Sequence, residues 1–170
     1  MKIHIIGCSG SGKTYLANAL SKKYNISHFD LDDIQWDNNA KEYGKKRTLD
    51  ERKALLQEIL YNNDEWIIEG VYHAWVQQSF DEADKIYVLN MSNYLCKSRI
   101  IMRSIKRKLG ILKGKKETLK SVYNLLKWTE TFQNKNLKEI RSILDRYDNK
   151  VIWLSRKKDV EKIIKAVCLT

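Results

Sequence analysis

Proline is absent from this chain of 170 residues, cysteine occurs only three times, and no long hydrophobic run is present. A membrane-spanning helix needs about 20 consecutive apolar residues, so the sequence argues against a membrane span. The chain also passes from Met1 and Lys2 directly into a short apolar segment, which does not fit a secretory signal peptide. We therefore expect a cytoplasmic protein without a membrane partner.

The three cysteines, Cys8, Cys96 and Cys168, are far apart in the sequence and lack the close spacing of a zinc site. An odd number of cysteines in a chain expected to be intracellular predicts free thiols. This pattern excludes a zinc-binding lid built on four cysteines.

Hydrophobic residues make up 43% of the chain, which is enough to bury a full core at this length. The sequence has no linker-like stretch and no internal repeat. We therefore expect one domain that spans residues 1–170.

The net charge of +11 is distributed unevenly along the chain. Residues 28–84 contain fourteen acids and six bases, whereas residues 97–120 contain ten bases and one acid, Glu117. A basic segment of this kind can bind nucleic acid, attract an acidic small substrate, or form a solvated lysine-rich surface. Composition leaves these alternatives open.

Residues 7–14 have the sequence GCSGSGKT and match the phosphate-binding pattern G-x-x-x-x-G-K-[ST] at every fixed position. The apolar run Ile3–Ile6 predicts a buried strand before this loop, and Lys13–Tyr24 has apolar side chains at helical spacing. Strand, loop and helix therefore occur in the order of a nucleotide-binding P-loop. The predicted loop consists of Gly7, Cys8, Ser9, Gly10, Ser11, Gly12, Lys13 and Thr14.

Such a loop has a defined chemistry. Its glycines let successive backbone N–H groups turn inward, and these donors hold phosphate oxygens together with the positive end of the following helix. Lys13 would reach the β- and γ-phosphates, and the hydroxyl of Thr14 would ligate magnesium. The sequence thus predicts ATP and Mg²⁺ as cofactors; the alternative is a glycine-rich turn with a solvated lysine.

Strand and helix patterns alternate along the rest of the chain. This alternation predicts an α/β fold, a P-loop NTPase fold with a five-stranded parallel sheet flanked by helices. Ligands in such a sheet bind at the carboxyl ends of the strands. The predicted later strands are Ile26–Leu31, Trp66–Glu69, Lys85–Leu89 and Val151–Leu154, and the predicted later helices are Leu49–Leu60, Tyr94–Leu109, Thr118–Phe132, Leu137–Tyr147 and Asp159–Val167.

Acidic residues follow two of the predicted strands. Glu69 ends the third strand, where a carboxylate can orient magnesium or its water; the alternative is a strand-end acid before a turn glycine. In an extended second strand, Asp30 and Asp32 would point to the same side, and Asp32 would orient an acceptor hydroxyl. The alternative is that Asp32 or Asp33 caps a short helix beginning at Ile34.

The predicted helix Tyr94–Leu109 combines an apolar stripe with a row of arginines. The stripe is expected to face the core and consists of Leu95, Met102, Ile105 and Leu109. Arg99, Arg103 and Arg107 follow one another at i, i+4 spacing beside it, where they can neutralise a transferring phosphoryl group; the alternative is a solvated basic face.

The basic stretch continues past two glycines, Gly110 and Gly114, into the next predicted helix. Glycine hinges in front of a basic helix favour a mobile lid over an active site. We therefore expect a helical basic lid, inserted at about residues 108–135.

Four segments together resemble a known family: GCSGSGKT, HFDLDDIQW ending at Trp36, WIIEGVY from Trp66 to Tyr72, and ADKIYVLNMSNYLCKSRIIMR. The chain resembles, over essentially its whole length, the small P-loop proteins known as DNA topology modulation proteins. These in turn are similar to adenylate and shikimate kinases. Only the loop is a highly specific motif.

The resemblance assigns individual residues. Asp32 matches the acid four residues before the tryptophan, whereas Asp30 and Asp33 are not family positions. Glu69 replaces the usual aspartate, and Val71 stands where asparagine is common. The kinase relatives imply phosphoryl transfer from ATP. They also imply a purine contact at Ser155-Arg156-Lys157, so Arg156 is a candidate for binding the nucleotide.

We expect a Mg²⁺-dependent phosphotransferase resembling nucleoside and nucleotide kinases, which uses ATP and a small-molecule acceptor. Lys13, Asp32, Arg99 and Arg103 are its candidate catalytic residues, and Thr14 and Glu69 its metal ligands. A hydroxyl acceptor is favoured over a nucleoside monophosphate because acids at the acceptor end would repel a phosphate. One alternative is a nucleic-acid-associated P-loop NTPase or regulator of DNA topology; another is a nucleotide sensor without turnover. The basic segment lacks interleaved aromatic residues, which argues against nucleic acid.

Overall fold

The computed structural model describes residues 1–37, 45–112 and 118–166. Its centre is a five-stranded sheet with the strand order β2-β3-β1-β4-β5, and every neighbouring pair is parallel. The strands are β1 (Lys2–Gly7), β2 (His28–Asp30), β3 (Trp66–Gly70), β4 (Lys85–Leu89) and β5 (Val151–Leu154). The predicted α/β fold with a parallel sheet is confirmed.

Helices connect these strands. They are α1 (Lys13–Tyr24), α2 (Leu31–Gln35), α3 (Leu49–Asn62), α4 (Gln77–Glu82), α5 (Asn93–Lys108), α6 (Leu119–Thr131), α7 (Leu137–Leu144) and α8 (Lys157–Ala166). A π-helical turn, Phe132–Asn136, joins α6 to α7, and a 3₁₀ segment, Asp145–Lys150, leads into β5. The predicted bounds of α1, β4 and β5 are confirmed, α4 was not predicted, and Val167 lies outside the described residues.

The core lies where the central strands pack between the helices. Ile3, Ile5 and Ile6 of β1 are buried, and so are all five residues of β3. A parallel sheet covered on both faces requires such continuous apolar strands. The chain reverses its direction of winding at β1, since β3 and β4 pair with its two sides, and this switch point places the P-loop at the carboxyl edge of the sheet.

The second strand is shorter than predicted, because a helix begins directly after Asp30. The side chain of Asp30 accepts a hydrogen bond from the backbone N–H of Asp32 at 2.9 Å, as a helix N-cap does. The following α2 buries Leu31 and Ile34. The expectation that Asp32 continues an extended strand is therefore wrong, and so is the alternative that Asp32 or Asp33 caps a helix beginning at Ile34.

The predicted core-facing stripe of α5 is also wrong. Met102 is 52% exposed, Ile105 44% and Leu109 68%, and only Leu95 packs against the core. The buried side of α5 instead carries Cys96, Ile100 and Ser104. At Cys96 the helix approaches the P-loop closely, since the carbonyl oxygen of Cys96 lies 2.5 Å from the position of a Cβ atom on Gly10.

Two of the three cysteines lie in the described residues. Cys8 and Cys96 are free, as predicted, and both are buried. Their sulfur atoms lie only 3.3 Å apart. Cys168 lies outside the described residues.

One of the two glycines predicted as lid hinges is described. Gly110 follows the end of α5 with a φ of 73°, whereas Gly114 lies outside the described residues. No helix within the described ranges is long and apolar enough to cross a membrane.

Candidate functional site

A cavity of about 1150 Å³ opens at the carboxyl edge of the sheet. Its walls come from the P-loop and the start of α1, the ends of β2 and β3, the end of α2, the arginine side of α5, part of α6 and the start of α8. Most of the residues singled out in the sequence therefore meet in one place. The cavity also includes Trp36 and Trp128, two aromatic side chains at its wall.

The glycines of the P-loop are required by its backbone. Gly10 and Gly12 have φ values of 77° and 104°, which side-chain-bearing residues rarely adopt. A Cβ atom at Gly10 would lie 2.5 Å from the carbonyl oxygen of Cys96, and one at Gly7 would lie 2.8 Å from that of Leu89. The loop therefore packs tightly against β4 and α5 while its other face borders the cavity.

Lys13 is buried at the start of α1. Its Nζ donates a hydrogen bond to the carbonyl oxygen of Cys8 at 3.3 Å and lies 3.7 Å from Oε2 of Glu69. The lysine thus folds back over the loop towards the strand-end acid. This arrangement places a positive charge inside the concave face where phosphate oxygens would bind.

Glu69 is almost fully buried at the end of β3. The hydroxyl of Thr14 donates to its Oε1 at 2.5 Å, and Nε2 of His28 lies 3.8 Å from the same oxygen. Burial opposes ionisation of Glu69, but His28, Lys13 and Thr14 outweigh burial and hold its pKa below the usual range. Glu69 is therefore a carboxylate at neutral pH.

A second acidic group borders the cavity at the end of β2. The hydroxyl of Tyr72 donates to Oδ1 of Asp32 at 2.6 Å. Burial and the neighbouring Asp32 raise the pKa of Tyr72, so the hydroxyl keeps its proton. Burial and the charge of Glu69 raise the pKa of Asp30 to about 6. Asp30, Asp32 and Glu69 therefore have different environments, and Asp32 is the acid that accepts a hydrogen bond from Tyr72.

The arginines of α5 face the cavity as their spacing predicts. Arg103 and Arg107 line it, and Arg99 lies nearest the loop, where its Nη1 donates to the carbonyl oxygens of Gly10 and Ser11. All three side chains are partly buried. The row is therefore a cavity wall and not a solvated face.

The candidate nucleotide contact at Arg156 has a different setting. Its side chain is 74% exposed and pairs with Asp159 at 3.0 Å, an arrangement that caps the start of α8. The α8 residues that border the cavity are Lys157, Val160 and Glu161. A purine contact at Arg156 stays a prediction and would require this pair to open.

Sequence reasoning did not single out Tyr72 or His28, although both contact predicted site acids. Tyr72 follows Glu69 by only three residues at the carboxyl end of β3, so strand position was the signal that could have found it. His28 begins β2 and also binds Asn18 of α1 through Nδ1 at 3.1 Å. Its contact with Glu69 depends on β2 pairing with β3, which no local pattern reveals.

The residues present fit an ATP–Mg²⁺ complex. Within the described residues, no group of three or more His, Cys, Asp or Glu side chains could hold a metal alone. Mg²⁺ usually binds one or two protein oxygens and completes its shell with phosphates and water. The oxygens of Thr14 and Glu69, joined at 2.5 Å beside the loop, suit that role.

Comparisons with known proteins agree with this geometry. YqaC, an uncharacterized protein of Bacillus subtilis (strain 168), is 29% identical over 140 residues, which is 82% of this chain and 76% of that protein. A crystal structure of an uncharacterized protein from Eubacterium ventriosum ATCC 27560 has a TM-score of 0.57 at 14% identity, with full coverage of both chains. Identity that low indicates the fold alone.

A family model described as an AAA domain matches residues 3–119. The match includes the P-loop, the strand-end acids and all three cavity-facing arginines. The chain therefore belongs to this AAA domain family and is a kinase-like P-loop protein that binds nucleotides.

Proposed function

We propose that this protein is a Mg²⁺-dependent phosphotransferase that moves the γ-phosphoryl group of ATP to a hydroxyl of a small molecule in the cytoplasm. One observation carries the proposal: a single cavity holds a P-loop, a hydrogen-bonded pair of Thr14 with the buried Glu69, and a separate Asp32–Tyr72 pair. A protein that only senses nucleotide needs the P-loop, but it does not need an acid such as Asp32 that is held in place by Tyr72.

On the donor side, the amides of the loop and Lys13 bind the phosphates, and Thr14 and Glu69 hold the metal. When bound, Mg²⁺ would neutralise part of the negative charge of the phosphates. Glu69 keeps its charge through Lys13 and His28, so it can act on the metal or its water. These residues do positioning and electrostatic work, which accounts for most of the catalysis in phosphoryl transfer.

On the acceptor side, Asp32 orients the attacking hydroxyl and accepts its proton. Tyr72 fixes one carboxylate oxygen of Asp32 and so limits the directions in which the acid can act. Asp30 also borders the cavity. Asp30 and Asp32 would repel an incoming phosphate, which favours a nucleoside or another small alcohol over a nucleoside monophosphate.

We propose that the segment of about residues 108–135 acts as a lid on one domain spanning residues 1–170. Leu125 and Trp128 of α6 already border the cavity, and α6 packs along α5, where Lys97 pairs with Glu130 at 2.8 Å. Movement of α6 over the cavity would enclose the transferring phosphoryl group beside Arg103 and Arg107, whose charge would stabilise the transition state.

Substitution of Asp32 tests the acceptor assignment. Asp32→Asn removes the proton acceptor but keeps a similar shape, so turnover with the preferred hydroxyl acceptor should fall by about 100-fold or more. The neighbouring Asp33→Asn removes an equal charge and should retain near-normal turnover. Product formation would be followed for nucleosides, nucleoside monophosphates and small alcohols. Robust phosphorylation of a nucleoside monophosphate that is insensitive to Asp32→Asn would contradict the assignment.

The resemblance to DNA topology modulation proteins and the basic segment favour a second candidate function, a P-loop NTPase that acts with nucleic acid. Exposed bases such as Lys106 and Lys108 lie on the outer side of α5, away from the cavity. This candidate predicts DNA binding that weakens steeply with salt, together with release of inorganic phosphate and no phosphorylated small molecule. The same product assay separates the two functions.

A further inference from the structure

The outer face of the P-loop rests on α5. Two residues of that helix, Cys96 and Arg99, contact the loop directly, and together they form what we call the α5 support. Their sequence separation from the loop is almost ninety residues, so only the folded sheet brings them together. Arg99 also borders the cavity, so its guanidinium lies where the loop meets the cavity wall.

Arg99 satisfies backbone carbonyl groups of the loop. When the loop amides turn inward to form an anion site, the carbonyls must point outward, and buried carbonyls without partners are unfavourable. Nη1 of Arg99 donates to the oxygen of Gly10 at 3.1 Å and to that of Ser11 at 3.0 Å. One guanidinium nitrogen thereby ties together two consecutive peptide groups, those that join Gly10 to Ser11 and Ser11 to Gly12.

Cys96 fixes the same loop from one turn earlier in α5. Its carbonyl oxygen lies 2.5 Å from the position of a Cβ atom on Gly10, so the two backbones are in close contact. The thiol of Cys8 also donates to the sulfur of Cys96 at 3.3 Å, and both side chains are buried. The loop therefore has little freedom to move away from the helix.

We propose that Arg99 is a positioning residue: it holds the P-loop in its phosphate-binding form through the carbonyl groups of Gly10 and Ser11, and is not a clamp on the transferring phosphoryl group. The proposal rests on the proposed function only in that the loop binds nucleotide phosphates. It replaces the expectation that Arg99 closes over the phosphoryl group together with Arg103. Since α5 also carries Arg103 and Arg107, the helix sets the position of the loop and of these arginines relative to one another.

The two possible roles of Arg99 predict different effects of its substitution on the affinity for ADP and on the kinetic constants. A clamp on the γ-phosphoryl group would lower kcat and leave the affinity for ADP unchanged, because ADP lacks that group. A support for the loop would weaken ADP binding, raise KM for ATP, and leave the loop less ordered before any ligand binds. Arginine suits the support because its planar fork holds a fixed donor geometry, which a lysine does not reproduce.

The test compares Arg99→Gln, Arg99→Lys and Lys108→Gln, the last of which removes an exposed charge from the opposite side of α5. Binding of ADP with Mg²⁺ would be measured by calorimetry, and hydrogen exchange of residues 9–13 by mass spectrometry without nucleotide. We expect Arg99→Gln to raise the Kd for ADP about tenfold or more and to speed exchange in the loop. Arg99→Lys should recover part of both effects, and Lys108→Gln should change neither.

The measurements distinguish failure of the inference from failure of the proposed function. Unchanged loop exchange and unchanged ADP affinity in Arg99→Gln, or a loss in kcat alone, would overturn the support role. If the unaltered protein bound no nucleotide, the proposed function would fail, and the exchange measurement would still decide whether Arg99 orders the loop. Should Arg99→Gln prove too unstable, the comparison of Arg99→Lys with the unaltered protein decides the matter in the same way.

Discussion

Glu69 shows how one residue combines burial with a retained charge. It sits between two positive or hydrogen-bonding neighbours on α1, Lys13 and Thr14, and has His28 on its other side. Its side chain is one methylene longer than the aspartate expected from the family resemblance, and it reaches the Thr14 hydroxyl directly. The longer acid is therefore compatible with the proposed metal role.

Glu69→Gln tests that role. Glutamine keeps the size and the acceptor for Thr14 but removes the charge, so turnover should fall by about 100-fold while nucleotide affinity changes little. The measurement is kcat and KM for ATP over a range of Mg²⁺ concentrations. Normal turnover at limiting Mg²⁺ would transfer the metal role to another acid, with Asp32 as the first alternative.

Asp30 provides a prediction of pH dependence in the nucleotide-free and metal-free protein. Burial and the nearby Glu69 raise its pKa from 3.8 to about 6, so the folded state favours the neutral carboxyl. The stability that this group contributes is fully present below pH 4 and is lost as the pH rises through about 6.

The matching substitution is Asp30→Asn, which keeps the acceptor that caps α2 and removes the charge. The full shift would correspond to about 3 kcal/mol, and partial exposure reduces the expected gain in unfolding free energy to about 1 kcal/mol at pH 8. The gain should vanish near pH 4. Urea denaturation at both pH values checks this, and an equal gain at pH 4 and pH 8 would contradict it.

Among the elements, α5 shows where periodicity is insufficient. Apolar residues at helical spacing occur on two sides of α5, so helical periodicity alone does not determine which side packs against the sheet. The structure buries Ile100 with the small residues Cys96 and Ser104 and leaves Ile105 exposed. The close approach of α5 to the P-loop at Cys96 depends on tertiary packing, which helical spacing does not reveal.

A pair of isoleucine substitutions tests this orientation. Ile100→Ala should lower the free energy of unfolding by about 2–4 kcal/mol, because it leaves a cavity in the core. Ile105→Ala, the same change one turn further along α5 on the exposed side, should alter it by no more than about 0.5 kcal/mol. Equal losses in urea denaturation would mean that the apolar stripe through Ile105 is buried after all.

The shift at β2 has a similar explanation. The run Ile26–Leu31 has the apolar character of a strand, and Asp30 has the character of an N-cap. The local sequence does not show whether the strand continues to Leu31 or a helix begins after Asp30. The cap prevails because α2 then buries Leu31 and Ile34, and a Cβ at Gly70 would lie 2.8 Å from Leu31, so the turn packs directly on the end of β3.

At the scale of the whole molecule, the alternation of strands and helices was sufficient to predict the parallel sheet and its ligand-binding edge. The P-loop and the acids at the strand ends were predicted as site residues for the same reason, since parallel strands bring their carboxyl ends together. Contacts between distant elements were not predictable. The hydrogen bonds from Tyr72 to Asp32 and from Arg99 to the loop depend on tertiary packing that leaves no periodic signal.

The uneven distribution of charge along the chain corresponds to different sides of the cavity. The acids of residues 28–84 include the three that border the cavity, and the bases of residues 97–120 include the arginines that face them. The cavity thus combines acids at the ends of the strands with a basic wall. A net charge of +11 is accordingly no argument for a nucleic-acid partner by itself.

The most direct test of phosphoryl transfer uses ATP with a labelled γ-phosphate, Mg²⁺ and a panel of nucleosides, nucleoside monophosphates and small alcohols. Unaltered protein should transfer the label to an organic acceptor, and Lys13→Ala should bind ATP more weakly and transfer none while its urea denaturation stays unchanged. Equal ATP affinity and equal transfer of label by the two proteins would contradict the assignment of residues 7–14 as the donor site.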